Sequence, residues 1–406
     1  MEFVAALVGL LGLTAASVPW LTGILIRRPI QKTWIKCCWF FFGVGLVIVA
    51  ASLAWVRNDK PIRPAEHHSA SNHIARCADC HAAQTEFFQS APHSQTLRRA
   101  DQPSEWIRYT KQSAPIGLPV KEFRYWERGG RLWGGRGSSG AAADWFFGSG
   151  HHGQTAVTVR SNDRGETMAV EHHVTWYATH GLARTIGRPV DLGRDKDDVG
   201  EVNDPATTRK CFGCHSTHLS GLDGRIDFDQ IIPGVLCARC HEGAEQHADA
   251  TRNGKAASKF DDRRKLSSFE SVARCGQCHR MPTEFNPIEL SARNPAILRF
   301  APVGLLMSKC FQLQHTLEPA EKTRRLDCLM CHDPHRPTET EPNFYNRHCR
   351  QCHDGKSEAQ IACRNQPPES DCISCHMPKV SIDVPAQFTD HWIRVRDREP
   401  GRRDEQ

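Results

Sequence analysis

No histidine precedes His67, and no charged side chain lies between Phe3 and Ile26 or between Cys37 and Val56. The first absence excludes axial imidazoles, and with them a b-type haem, from the N-terminal segment. The second leaves two uncharged runs, each long enough to cross a bilayer as a helix. Between them Arg27, Arg28, Lys32 and Lys36 meet no acidic residue, so the positive-inside rule puts the loop 27–36 in the cytoplasm and both outer ends in the periplasm. A cleaved signal peptide fits less well, because a basic n-region is missing and the first run exceeds an ordinary h-region. Residues 1–56 are therefore expected as two transmembrane helices, with 57–76 a polar linker carrying His67 and His68. Cys37 and Cys38 read as small apolar packing residues, with lipidation as the alternative.

Further absences narrow the chemistry. The glycine-rich stretch from Gly129 to Gly140 has neither the spacing of a phosphate-binding or dinucleotide loop nor its Lys-Ser/Thr pair. Despite a formal charge of +6, no Lys/Arg cluster interleaved with aromatics forms a groove, so no nucleic-acid partner is expected. From 203 to 394 neither a long strand pattern nor a continuous helical period survives.

What is abundant is Cys-x-x-Cys-His. It occurs seven times, at Cys77-Cys80-His81, Cys211-Cys214-His215, Cys237-Cys240-His241, Cys275-Cys278-His279, Cys328-Cys331-His332, Cys349-Cys352-His353 and Cys372-Cys375-His376. In this pattern two thiols form thioethers to a porphyrin edge and the following imidazole takes the iron as proximal ligand. Zinc knuckles would not require a histidine after each second cysteine, and a disulfide framework cannot account for fourteen of eighteen cysteines in this spacing. The chain reads as a multihaem c-type cytochrome with seven covalently attached haem c groups. Cys310 and Cys363 remain, and an oxidising compartment makes a disulfide between them the expectation, a core cysteine the alternative.

The motifs are unevenly spread. From Cys77 to Cys211 there are 134 positions, after which the motifs start at intervals of 26, 38, 53, 21 and 23. Such density leaves little room for a side-chain core, so porphyrins are expected to fill much of it. Short helices at the motifs, one beginning within Leu266–Ala273, and Pro/Gly loops give a mostly α class with much irregular structure. Within 77–210, a first-haem region, Gln154–Arg160 and Thr167–Tyr177 read as one small β-hairpin turning at Ser161–Gly165. Residues 211–395 read as a six-haem domain and 396–406 as a polar tail.

Fifteen histidines lie outside the motifs, enough for a distal ligand on every iron. His218 and His335 follow His215 and His332 by three positions, too close to reach the opposite face of the same iron, so they are expected to serve neighbouring haems. His247 and His348 permit the same cross-ligation, and His93 is the candidate nearest the first motif. The doublets His151-His152 and His172-His173 stay unresolved by chemistry alone. Met281, Met307, Met330 and Met377 are alternatives at one or two irons.

In motif order, and in the words Phe147-Gly-Ser-Gly-His-His-Gly-Gln-Thr, Val174-Thr-Trp-Tyr, Gly234-Val-Leu-Cys-Ala-Arg-Cys-His, Cys328-Leu-Met-Cys-His-Asp-Pro-His, Cys372-Ile-Ser-Cys-His-Met-Pro-Lys and Phe388-Thr-Asp-His-Trp-Ile, residues 73–395 resemble periplasmic multihaem cytochromes related to cytochrome c554. The resemblance implies His93, His152, His218, His247, His335 and His391 as distal ligands, with a seventh from His348, His180 or His315. It also implies electron carriage. The chain departs from the related pentahaem nitrite reductases and octahaem hydroxylamine oxidoreductases, having no Cys-x-x-Cys-Lys motif and seven haem sites.

The expected function is a membrane-anchored periplasmic relay in the bacterial cytoplasmic membrane. Its donor would be a quinol-oxidising membrane complex or another cytochrome, and its acceptor a periplasmic or extracellular redox protein. The alternative is an oxidoreductase acting on a small nitrogen or oxygen compound at one open-coordination haem. A third reading is a structural subunit of a membrane complex.

Overall fold

The computed structural model describes residues 70–111, 123–136, 139–187, 199–255, 265–314, 325–353, 371–382 and 384–396, all within the second of two units, 1–65 and 66–406. Their class is mixed α/β, with four β-sheets among the described residues, none closed into a barrel. This corrects the mostly helical expectation. Strands β1 (Leu97–Arg99), β2 (Phe123–Arg128), β3 (Arg131–Arg136), β4 (Ser139–Ala142) and β5 (Trp145–Phe147) are short and broken by glycines, so no one window of sequence shows their alternation.

The expected hairpin is present but belongs to something larger. β6 (Gly153–Ser161) and β7 (Thr167–Tyr177) pair antiparallel, and the turn closes where Asn162 Oδ1 accepts from the Arg164 and Glu166 amides and Gly165 takes φ 71°. β7 then carries both β8 (Gly181–Arg184) and β9 (Gly200–Asn203), while β6 carries β5 and β5 in turn carries β1, making a six-stranded sheet. β2, β3 and β4 form a second, three-stranded sheet.

Alternation along β5 sends neighbouring side chains to opposite faces. Phe146 joins Trp106, Tyr109, Phe123, Tyr125, Leu132, Val174 and Leu182 in one core, between the six-stranded sheet, the β2–β4 sheet and the helix Pro103–Thr110. Trp145 and Phe147 face the other way and meet Phe212 of the helix Pro205–His215 at ring distances of 5.9 and 5.0 Å. Burying a side chain such as Phe212 contributes about 2–3 kcal/mol, and this contact seats the second motif on the sheet.

Burial in the first core leaves a titratable group. Thr158 donates to Ala142 O (2.7 Å), so the His172 Nε2–H donates to Thr158 Oγ1 (2.9 Å), and the ring stacks on Tyr125. Desolvation pushes His172 down to about 3, so it is neutral when folded. The unfolded residue takes up a proton below its ordinary 6.5 and the folded one does not until about 3. This contribution to stability is therefore complete above pH 6.5 and lost at about 1.4 kcal/mol per pH unit as the pH falls through that window. Urea titrations at pH 7 and 5 should show about 2 kcal/mol less acid sensitivity in His172→Gln than in the parent. Equal sensitivity would show that His172 is not the group responsible.

Two further sheets flank the motifs. β10 (Ser216–Ser220) pairs β11 (Asp227–Pro233), and β12 (Lys379–Ile382) pairs β13 (Val384–Thr389). The helix Ser268–His279 starts behind a reciprocal capping box, Ser267 accepting from the Glu270 amide and Glu270 from the Ser267 amide.

Among the described residues no helix is long and apolar enough to cross a membrane. Ser268–His279, at 12 residues, is about 18 Å long against a hydrocarbon core of about 30 Å. The runs 3–26 and 37–56, the loop 27–36, most of the linker, Cys363, His315 and residues 397–406 lie outside the described residues. The expected multi-pass membrane placement is corrected to what the described residues show, no membrane-crossing helix, and a donor and acceptor scheme resting on anchorage has no support there.

Candidate functional site

Each motif places its cysteines one helical turn apart, so both sulfurs project from the same face. The second and fourth motifs close the helices Pro205–His215 and Ser268–His279, the seventh forms Cys372–His376, and the third and fifth form the single turns Cys237–Cys240 and Cys328–Cys331. Carboxylates fix several of these turns: Asp204 accepts from the Thr207 amide, Asp327 from Leu329 and Met330, and Asp371 from Ile373. Arg325 holds the buried Asp327 at 2.6 Å.

The fold then brings each of four motif histidines opposite a histidine from elsewhere. Ring centroids are 6.5 Å apart for His81 and His247, 6.0 Å for His279 and His93, 6.1 Å for His241 and His335, and 6.1 Å for His332 and His391. An iron held between two imidazoles, with metal–nitrogen distances of about 2 Å, puts the ring centroids about 6 Å apart. The four pairs fit that geometry.

The outer nitrogens are also arranged for ligation. A metal-bound imidazole commonly donates its remaining N–H to a carboxylate or carbonyl, which fixes the tautomer. His335 Nδ1 lies 2.8 Å from Asp333 Oδ1, and His391 Nδ1 lies 2.9 Å from Thr389 O. His93 bonds the Pro334 carbonyl. His215 and His376 each direct Nδ1 at a carbonyl 2.9 Å away, of Thr96 and Arg394. With Nδ1 carrying the proton, Nε2 keeps a free lone pair. Desolvation maintains the neutral form, holding His279 and His332 down to about 4 and lowering His93, His215 and His391.

Two glycines let the chain approach these rings. Gly234, at φ 80°, packs so closely that a Cβ would run into Ser94 O, beside His93, whose own carbonyl accepts from the Val235 amide at 2.9 Å. Gly304 leaves 2.5 Å between a notional Cβ and the Trp392 nitrogen, and 2.7 Å to the carbonyl carbon of His391.

The remaining expected ligands sit differently. His215 stacks on Phe147 at 4.9 Å rather than on a second histidine. His218 lies on β10 opposite Ile232, His348 packs on Phe344 at 5.2 Å, and the His152 carbonyl accepts from the Ala178 amide. None of the three makes a ring contact with a motif histidine among the described residues. His180 Nδ1 contacts Thr179 Oγ1 at 2.6 Å, and His172 is a core residue.

Cysteines of different motifs also meet, a feature that motif spacing does not reveal. Cys237 hydrogen-bonds Cys77, holding the Cys77 thiol down to about 6 and pushing its own up; Cys214 and Cys278 form a like pair, with Cys278 held down to about 6. Cys328 bonds Cys275 and is pushed up.

Among the described residues no group of three or more His, Cys, Asp or Glu side chains is arranged to hold a metal ion. This corrects the expected metal-binding membrane relay: what the chain presents is pairs of donors, and a pair suffices only where a porphyrin supplies the other four nitrogens.

Facing imidazoles, one of each pair beside a Cys-x-x-Cys turn, are a donor arrangement that could hold a haem. Residues 76–116, 41 of the chain's 406, match the family described as cytochrome c554 and c-prime, a family-level similarity that covers the first motif and His93. No curated protein and no solved structure matches the chain.

Proposed function

We propose that the chain carries seven haem c groups, attached at Cys77/Cys80, Cys211/Cys214, Cys237/Cys240, Cys275/Cys278, Cys328/Cys331, Cys349/Cys352 and Cys372/Cys375, with His81, His215, His241, His279, His332, His353 and His376 as proximal ligands. When bound, haem supplies one-electron redox chemistry at a potential set by its axial ligands. The single observation that carries the reading is the set of four histidine pairs at 6.0–6.5 Å.

His247, His93, His335 and His391 act as the second ligands of the first, fourth, third and fifth motifs. Asp333 and the Thr389 carbonyl hold the Nδ1 protons of His335 and His391, so their Nε2 atoms are presented unprotonated, and His93 bonds the Pro334 carbonyl. His93 comes from the first-haem region 77–210 and His247 from the six-haem region 211–395, so each region completes a site on the other. His152, His218 and His348 remain the candidates for the second, sixth and seventh motifs.

Intact mass and EPR of the full chain, made in cells that attach haem c, test this. Seven haem additions and at least four low-spin irons are expected. An unmodified mass, or fewer than four low-spin irons at full haem content, would refute the proposal.

A further inference from the structure

Strand pairing puts two polar side chains on the face of the six-stranded sheet that the helix Pro103–Thr110 covers. Arg98 is the cross-strand partner of Phe146 and Gln154 that of Trp176, and both aromatic residues pack in the first core. The helix adds Glu105 and Arg108, one turn apart. Both guanidinium groups converge on Gly150, in the loop 148–152 between β5 and β6: Arg108 Nη1 stands 3.0 Å and Arg98 Nη2 3.3 Å from where a Cβ would sit. Arg98 is committed, ion-pairing with Glu105 at 2.8 Å and donating to Ser149 O at 2.9 Å. Arg108, half-buried with its guanidinium 4.6 Å over the Trp176 ring, meets no carboxylate among the described residues. Two cations therefore share one acid. On the same face Gln154 is 0% exposed, yet neither its Nε2 nor its Oε1 has a hydrogen-bond partner among the described residues. A buried polar group left unpaired costs about 1–3 kcal/mol, so this spot holds both an excess positive charge and an amide that a ligand would satisfy.

We propose that Arg108, Arg98 and Gln154 form an oxyanion site that takes a carboxylate or phosphate group. The planar fork of Arg108 offers parallel N–H donors, the arrangement that holds carboxylate and phosphate oxygens bidentately, and the Trp176 face keeps the fork in place. Gln154 Nε2 adds a neutral donor and Arg98 the second charge. Two guanidinium groups against the single Glu105 carboxylate leave one positive charge, which one anion neutralises. Burial lowers the Arg98 pKa and Arg108 lowers it further, with Glu105 opposing both, and an anion seated between the guanidinium groups relieves the same repulsion. Two sources carry this chemistry, a haem propionate and a free oxyanion. The first rests on the haem reading above; the second does not.

Calorimetry of the full chain, made in cells that attach haem c, with inorganic phosphate at low ionic strength tests the site, alongside a redox titration. For a free oxyanion, phosphate should fill one saturable site. Binding should weaken about tenfold or more in Arg108→Gln and in Arg108→Lys, which keeps the charge without the fork, and tighten in Glu105→Gln, where Arg98 is released. No phosphate uptake by the parent, together with a lower midpoint potential at one haem in Arg108→Gln, identifies a propionate in the same seat, since a lost cation disfavours the added electron. Equal uptake in the parent and Arg108→Gln, or no uptake with unchanged potentials, would overturn the proposal. Should the chain carry no haem, the phosphate titration still decides the site while the haem reading alone fails.

Discussion

Asp390→Ala is expected to cost about 3 kcal/mol or more of folding stability and to release His391 from its place opposite His332. The Asp390 side chain is 0% exposed and ion-pairs with Arg394 at 2.9 Å and with Arg396. Its other oxygen accepts from the Trp392 amide at 2.8 Å. Removing the carboxylate takes their shared partner from Arg396 and the Trp392 amide, while Arg394 keeps its bonds to the Trp392 and Ala292 carbonyls, and breaking a buried pair from one side typically costs about 3–5 kcal/mol. The effect spreads because the segment is stitched to Ser308, whose hydroxyl lies 3.2 Å from His391 O and accepts from the Ile393 amide at 2.8 Å. Urea denaturation reads the first consequence, and a new high-spin signal in the haem-loaded protein reads the second. A loss under about 1 kcal/mol would show the pair to be solvent-screened in solution. Asp390→Asn keeps the amide contact and should fall between the two.

His335→Ala should convert one iron per chain from low to high spin without lowering haem content. His335 faces His241 nearly parallel, at 11° and 6.1 Å, and lies in the segment that follows the fifth motif, so its loss opens the third site while leaving every attachment cysteine intact. Asp333→Ala should weaken the same site less, since it removes only the group orienting Nδ1. EPR and the near-infrared charge-transfer bands give the count directly. An unchanged low-spin count in His335→Ala would dismiss the pairing.

The fold was only partly legible in the chain. The β6–β7 hairpin could be read because its runs rich in strand-forming residues extend over nine and eleven residues and its turn chemistry is local. β1 and β5, three residues each, and β2 to β4 could not, since their burial depends on partners such as Tyr109 and Val174 that lie far along the chain. Buried histidine was ambiguous for the same reason: His172 and His93 look alike in sequence. One is enclosed by Thr158 and Tyr125 in an aromatic core, and the other faces His279.

By itself, the sequence determined where the seven Cys-x-x-Cys-His motifs lie, the proposed attachment points for haem c. Two thiols and an imidazole within five consecutive residues need only one helical turn to reach a common face, and capping residues such as Asp327 and Ser267 lie within the same local stretch. Tertiary structure decided which histidine faces which. The four pairs join residues between 59 (His332 and His391) and 186 (His93 and His279) positions apart, and nothing local distinguishes His247 from His218 as a partner. The same holds for the three cysteine contacts between motifs. Only the packing of Phe212 on the sheet, of Gly234 on Ser94 and of Gly304 on His391 sets those distances, because close approach is a property of packed surfaces rather than of spacing along the chain.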